Sequence, residues 1–213
     1  LWLHNIYIIL RSYSFTTQPA GSVSGVALTT QPVVTARDAQ GNTDVGFSDT
    51  VTEGSAGSLS NNSVSAVSGV ATFTNLIYSA TADQESFTLS ADDVSGGAEG
   101  DLPSAGASAV TSDVVATQLV FTTQPAPLNA VSGSVLDFST DPVVEAQNAA
   151  GVRDADFTDT VTLLETGAGS ATYTNNSVSA VSGVATFTNL TVTYTATADQ
   201  ESFTLSADDV SGG

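Results

Sequence analysis

SAVTSDVVATQLVFTTQP, residues 108–125, is the joint around which this chain is organised, because what lies on its two sides is the same sequence written twice. Its last five residues, FTTQP, repeat Phe15-Thr-Thr-Gln-Pro19. Working outward, NNSVSAVSGVATFTNL at 61–76 recurs unchanged at 175–190, and ADQESFTLSADDVSGG at 82–97 recurs at 198–213. The shift between copies grows from 106 at Phe15/Phe121 to 116 at Ala82/Ala198, so copy two carries small insertions. One is TLLETGAGSATYT (162–174) in place of TEGSAGSLS (52–60). Insertions confined between matched blocks are what loops and strand ends tolerate.

The blocks themselves read as strands. VATF (70–73), SFTLS (86–90), PVVTA (32–36) and DTVTL (159–163) are short runs of Val, Thr, Phe and Leu in two-residue alternation. Turn signals separate them: AQGN at 39–42, the NN pairs, VSG and SGG. No segment keeps a helical period. About seven short strands per copy of roughly 100 residues is the pattern of a β-sandwich. The chain therefore reads as all-β, with an N-terminal extension at 1–11, one domain at 12–117 and a second at 118–213.

Composition narrows the partners. The 22 acids face three arginines and no lysine, a formal charge of −19, so there is no basic surface with which to neutralise nucleic-acid phosphates or anionic lipid. Hydrophobic residues make up 41% of the chain and charged ones 12%, the balance of a folded protein. Cysteine is absent, which removes disulfides, thiol nucleophiles and zinc-thiolate sites. The sole histidine is His4, so no Ser-His-Asp arrangement or histidine metal site forms within one copy, and no catalytic residue is expected. Paired acids occur, but each pair is a duplicated block, which points to a copied scaffold rather than to two active sites.

The order FTTQP, PVVTARDAQGN, DTVT, SGVATFTNL, ESFTLSADD resembles the tandem bacterial immunoglobulin-like repeats of large prokaryotic surface proteins and adhesins. The resemblance covers the chain from residue 12 onward. It implies two immunoglobulin-like sandwiches at an extracellular, cell-surface location, with FTTQP in the first strand and residues 108–117 as the strand that closes the first domain. It also implies stalk or adhesin roles, an adhesin's partners being host or surface glycans.

Against that pattern, copy two reaches Gly213 before any counterpart of its closing strand, and the expectation is an open groove and an unpaired sheet edge. The other end carries LWLHNIYIIL. Counted back from Phe15 as from Phe121, Trp2, His4, Ile6, Ile8 and Leu10 take the places of Ser108, Val110, Ser112, Val114 and Ala116. This arrangement resembles the donor-strand complementation of pilins: residues 1–10 of one copy completing copy two of its neighbour, head to tail, as a homopolymer. Two other readings of the segment stay open, an ordinary strand of its own domain and a targeting remnant. The segment is too short to span a bilayer, and no membrane insertion is expected.

Acidic loops suggest calcium as a cofactor, with Asp38, Asp44, Asp92, Asp93, Asp208 and Asp209 as oxygen donors. Against this, the spacing matches no EF-hand and copy two has NAAGVRD at the first cluster, so the solvated-loop reading stands beside it; otherwise no cofactor is expected. Asn61, Asn175 and Asn189 fit the N-glycosylation pattern. Two function classes result: the subunit of an extracellular filament or pilus, and a stalk, spacer or binding module of a repetitive surface adhesin.

Overall fold

The computed structural model describes residues 12–55, 57–93 and 102–209. The chain divides into two compact units, Leu1–Asp113 and Val114–Gly213. Among the described residues all regular structure is strand, arranged in several small sheets as a sandwich-like fold.

Among its described residues unit 1 has twelve short strands: β1 (Ser12–Thr17), β2 (Ser22–Val23), β3 (Val33–Arg37), β4 (Thr50–Gly54), β5 (Ser58–Ser60), β6 (Ser63–Ser65), β7 (Val70–Thr72), β8 (Ile77–Ser79), β9 (Glu85–Phe87), β10 (Ser90–Asp93), β11 (Ala105–Gly106) and β12 (Val110–Asp113). They pair in the orders β1-β3-β7, β11-β10-β4-β6, β2-β12-β9 and β5-β8. Alternation sends Val34, Val51, Ala71 and Ala91 inward, where they join Phe73, Leu76, Tyr78 and Leu89 in the core. The run SFTLS is not one strand but parts of two. β9 pairs with β12 while β10 pairs with β4, so the chain changes sheets at Thr88-Leu89.

The described residues of unit 2 form nine: β13 (Gln118–Thr123), β14 (Val135–Asp137), β15 (Val143–Gln147), β16 (Thr160–Glu165), β17 (Ser170–Thr174), β18 (Ser177–Ser179), β19 (Val184–Thr186), β20 (Thr191–Thr195) and β21 (Leu205–Asp209). The orders are β13-β15-β19, β14-β20-β17 and β18-β16-β21. Val144, Val161, Leu163, Phe187, Leu190 and Val192 form its core. The insertions of copy two are legible here: β17 and β20 are five residues each and pair with one another, where β5 and β8 have three. Adding two residues to each of two paired strands lengthens the ladder by one pleat and leaves every side chain on its own face.

The VSG turn is built alike in both units. Ser68 and Gly69 (φ 52° and 82°), like Ser182 and Gly183 (φ 51° and 75°), are both left-handed, as a two-residue hairpin of the primed type requires. Val67 and Val70 bond each other's backbone in one unit, Val181 and Val184 in the other. A Cβ at Gly69 or Gly183 would run into the backbone carbonyl of Asp44 or Asp154, so glycine is needed for space as well as for φ.

Candidate functional site

In unit 1, β12 is inserted between β2, to which it is parallel, and β9, to which it is antiparallel. Val110 and Ser112 point inward from it and are buried. Further along the same segment Leu102 is buried and donates its N–H to Asp93 Oδ1 at 3.1 Å, and β11 pairs with Ser90 and Ala91 on the edge of β10. Residues 102–113 thus roof one side of unit 1, covering Phe87 (4% exposed) and Leu89 (0%).

The same place in unit 2 is a groove of about 1250 Å³. Phe121, Leu136, Phe138, Tyr194, Phe203 and Leu205 line its apolar wall, and Leu128 and Val131, 80% and 72% exposed, stand at its rim. Among the described residues no strand pairs with 201–203, the counterpart of β9, or with the free edge of β21. A smaller cavity, about 330 Å³, opens between Leu119, Phe157, Ala207 and Asp209. In unit 1 the corresponding Tyr13 packs its ring edge-on against Phe47 at 5.8 Å.

One wall of the groove is held rigid by a device present in both units. Tyr78 donates to Glu85 Oε1 at 2.7 Å, and Thr81 and Ala82 donate backbone N–H groups to Oε2 at 2.7 and 3.3 Å. In unit 2 Tyr194, Thr197 and Ala198 do the same for Glu201. These donors, the tyrosine hydroxyl foremost, favour the carboxylate: Glu85 lies below the usual range and Glu201 is held down at about 2. The tyrosines stack on Phe87 and Phe203, with ring centroids 3.7 and 4.3 Å apart. The aromatic floor is therefore preset in unit 2, with Tyr194 buried and Phe203, stacked on it, only half-buried.

Trp2, His4, Ile6, Ile8 and Leu10 lie outside the described residues. Asp38 closes its own turn: Oδ1 accepts the N–H groups of Gln40 and Asn42 at 2.9 and 2.8 Å, and Asn42 Nδ2 donates to Oδ2 at 3.2 Å. The bonds from Asn42 hold its carboxyl below the usual range. In unit 2 Asn148 does this work with a neutral amide, accepting from Ala150 and Val152 at 3.0 Å each. Asp44 Oδ1 accepts from Gly46. Adjacent on β10, Asp92 faces solvent and Asp93 the interior, and Asp208 and Asp209 alternate likewise on β21. Among the described residues, none of these six acids belongs to a group of three whose ligand atoms lie within 4.8 Å of one another. Asn61 and Asn175 are exposed, left-handed turn residues whose amide nitrogens donate to Asn75 O and Asn189 O at 3.0 and 3.1 Å. Asn189 is exposed in the turn before β20.

Two features escape a reading of the sequence by strand pattern alone. Glu53 on β4 is fully buried, and neither carboxyl oxygen has a hydrogen-bond partner. Desolvation pushes its pKa up to about 7. Leu163 holds the same place in unit 2, opposite Ala207 as Glu53 is opposite Ala91, and aligning DTVTE with DTVTL would have exposed the mismatch. The second feature is Ala130 in the groove, where unit 1 has Ser22.

In class, then, the chain is an all-β, sandwich-like protein of two units, one of them grooved. No known protein family matches it, and no curated protein does. Among solved structures it aligns with a β-glucuronidase of Parabacteroides merdae carrying glycerol in its active site (TM-score 0.26, 11% identity, 96% of this chain and 23% of that one). It also aligns with the apo form of Bacteroides uniformis β-glucuronidase 3 (TM-score 0.27, 10% identity, 95% and 23%). The chain spans less than a quarter of the length of these enzymes, and likeness at this level carries no argument about function.

Proposed function

We propose that this chain is a structural subunit of an extracellular filament, made of two immunoglobulin-like sandwiches, in which residues 1–10 of one copy supply a strand to unit 2 of the next. The observation that carries the reading is the groove of unit 2, which lies where β12 completes unit 1. A trough with an apolar, partly aromatic wall beside the free edge of β21 is costly to leave in water and is a template for strand addition. LWLHNIYIIL has the two-residue alternation such a strand needs, with Trp2, Ile6, Ile8 and Leu10 on the face that would enter. The donor segment precedes the strands of unit 1 and the acceptor groove belongs to unit 2, so the contact between copies is heterologous, head to tail, and propagates.

A second reading, a stalk or spacer of a repetitive cell-surface adhesin, is favoured by a different observation. The two 16-residue blocks are repeated without one substitution, as recent duplication within an array produces. In that case the residues that complete unit 2 belong to the same polypeptide. Negative-stain electron microscopy and sedimentation velocity on the full chain, beside a version lacking residues 1–10, separate the two. Fibres that require the segment support the filament. Monodisperse monomers from both versions, with equal melting temperatures, overturn it and leave the stalk.

A further inference from the structure

Resting on the acceptor reading above, we propose that Ala130 selects the strand the groove of unit 2 takes: one with an apolar side chain opposite it, supplied as Ile6 by a second copy. Unit 1 provides the template. There Ser112 of β12 lies opposite Ser22 of β2. Both are buried, at 0% and 5% exposure, and Ser22 Oγ donates to Ser112 Oγ at 3.0 Å. That bond gives each buried hydroxyl a partner, which is what makes a serine acceptable at this buried position of β12.

Unit 2 lacks one half of that pair. The alignment is fixed by hydrogen bonds. Ser24 Oγ accepts the N–H of Ala80, and Ser132 Oγ accepts that of Ala196, each at 3.0 Å. Gly25 and Gly133 then donate to Tyr78 O and Tyr194 O. Two residues before each serine stand Ser22 and Ala130, and Ala130 lines the groove. A strand like β12 would bury its serine hydroxyl there without the partner it has in unit 1. An isoleucine meets no such penalty and adds apolar contact with the groove. In the register set by Phe15 and Phe121, the residue of segment 1–10 at the Ser112 position is Ile6. The incoming strand runs parallel to 130–131 and antiparallel to 201–203, as β12 does beside β2 and β9.

The chain has no cysteine, so an introduced pair reports register without background. The double variant Ile6→Cys/Ala130→Cys, oxidised in dilute solution, is expected to give a covalent head-to-tail ladder on non-reducing gels. Tyr7→Cys/Ala130→Cys, shifted by one residue to the opposite face, is expected to give none. In the cysteine-free chain, Ala130→Ser is expected to weaken association about tenfold by sedimentation, and adding Ile6→Ser to recover part of the loss by rebuilding the hydroxyl pair. Melting curves are the check that the variants fold; Ala130 is exposed, so a small loss of stability is expected there. Equal ladders from the Ile6 and Tyr7 variants, or an Ala130→Ser effect under twofold, overturn the selectivity while leaving strand uptake intact. Absence of any association in the unmodified chain overturns both this inference and the filament reading.

Discussion

ADQESFTLSADD occurs in both units, residue for residue, yet folds differently in each. In unit 1 Phe87, Leu89 and Ala91 are buried, and residues 85–87 form β9. In unit 2 Phe203, Leu205 and Ala207 are only half buried, and residues 201–203 belong to no strand, while β21 begins at Leu205. Local propensity is identical by construction, so the difference is tertiary: ESF becomes a strand where β12 offers hydrogen bonds on its flank. What survives without a neighbour is the part held within the chain itself, the Tyr-Glu clasp and the aromatic stack. In unit 1 the layer that turns this segment into a strand comes from elsewhere in the sequence, from β12.

Truncating the same leucine in each unit measures what the roof over it is worth. Leu89→Ala removes a fully buried side chain roofed by residues 102–113, and about 4 kcal/mol of stability is expected to go with it. Leu205→Ala cuts a half-buried side chain at an open groove, with an expected loss of about 1 kcal/mol. Calorimetry of the two full-length variants decides. Equal losses would mean that the groove of unit 2 is filled in solution by something that covers Leu205 as completely as β12 and its loop cover Leu89.

Next in size is the place where the duplication disagrees with itself. Glu53 is buried and unpartnered where unit 2 has Leu163. Its folded pKa of about 7 lies above the ordinary value of 4.5. From pH ~4.5 to 7 the unfolded chain therefore releases a proton that the folded chain keeps. Stability falls by about 1.4 kcal/mol per pH unit across that window and levels off above it. Glu53→Leu is expected to stabilise unit 1 by about 3 kcal/mol at pH 8 and by much less at pH 4.5. Urea denaturation at both pH values tests it. A gain that does not change with pH would show that Glu53 destabilises by shape rather than by charge.

Much of the fold was legible because the repeat supplied its own alignment: matched blocks became matched strands, and Ser/Thr alternating with Val/Phe gave the pleat. What strand patterns could not give was where the chain changes sheets. SFTLS alternates without interruption, and only the separate partners of β9 and β10 divide it. Nor could acid-rich composition tell ligand from turn. Asp92 and Asp93 are neighbours in sequence, but the pleat sends them to opposite faces, and Asp38 spends its oxygens on its own backbone.

Where the units agree, matched changes should agree as well. Gly69→Ala and Gly183→Ala each force a left-handed alanine against a backbone carbonyl, at an expected cost of roughly 1–3 kcal/mol in either unit. Thermal melts of the two variants should be displaced by similar amounts, since this hairpin lies away from the groove residues. A difference of twofold or more in that cost would mean that the open face of unit 2 loosens the whole unit rather than one wall.

The smallest effect bears on whether the first acidic loop has any use for its charge. Asp38 caps the turn after β3 by accepting two backbone N–H groups, and Asn148 caps the equivalent turn of unit 2 with an amide oxygen. The geometry needs an acceptor and not an anion. Asp38→Asn is therefore expected to leave the melting temperature at pH 7 within about 2 °C of the parent. One pH-dependent trace should remain. Because hydrogen bonds lower the folded pKa of Asp38, the parent loses this contribution as acid protonates the carboxylate below its ordinary value of 3.8, and the asparagine variant has nothing there to titrate. The variant's melting curve should thus be flatter below pH 4. If calcium raised the parent's melting temperature and Asp38→Asn abolished the rise, the charge would have a ligand after all, and the two turns would be alike in backbone but different in purpose.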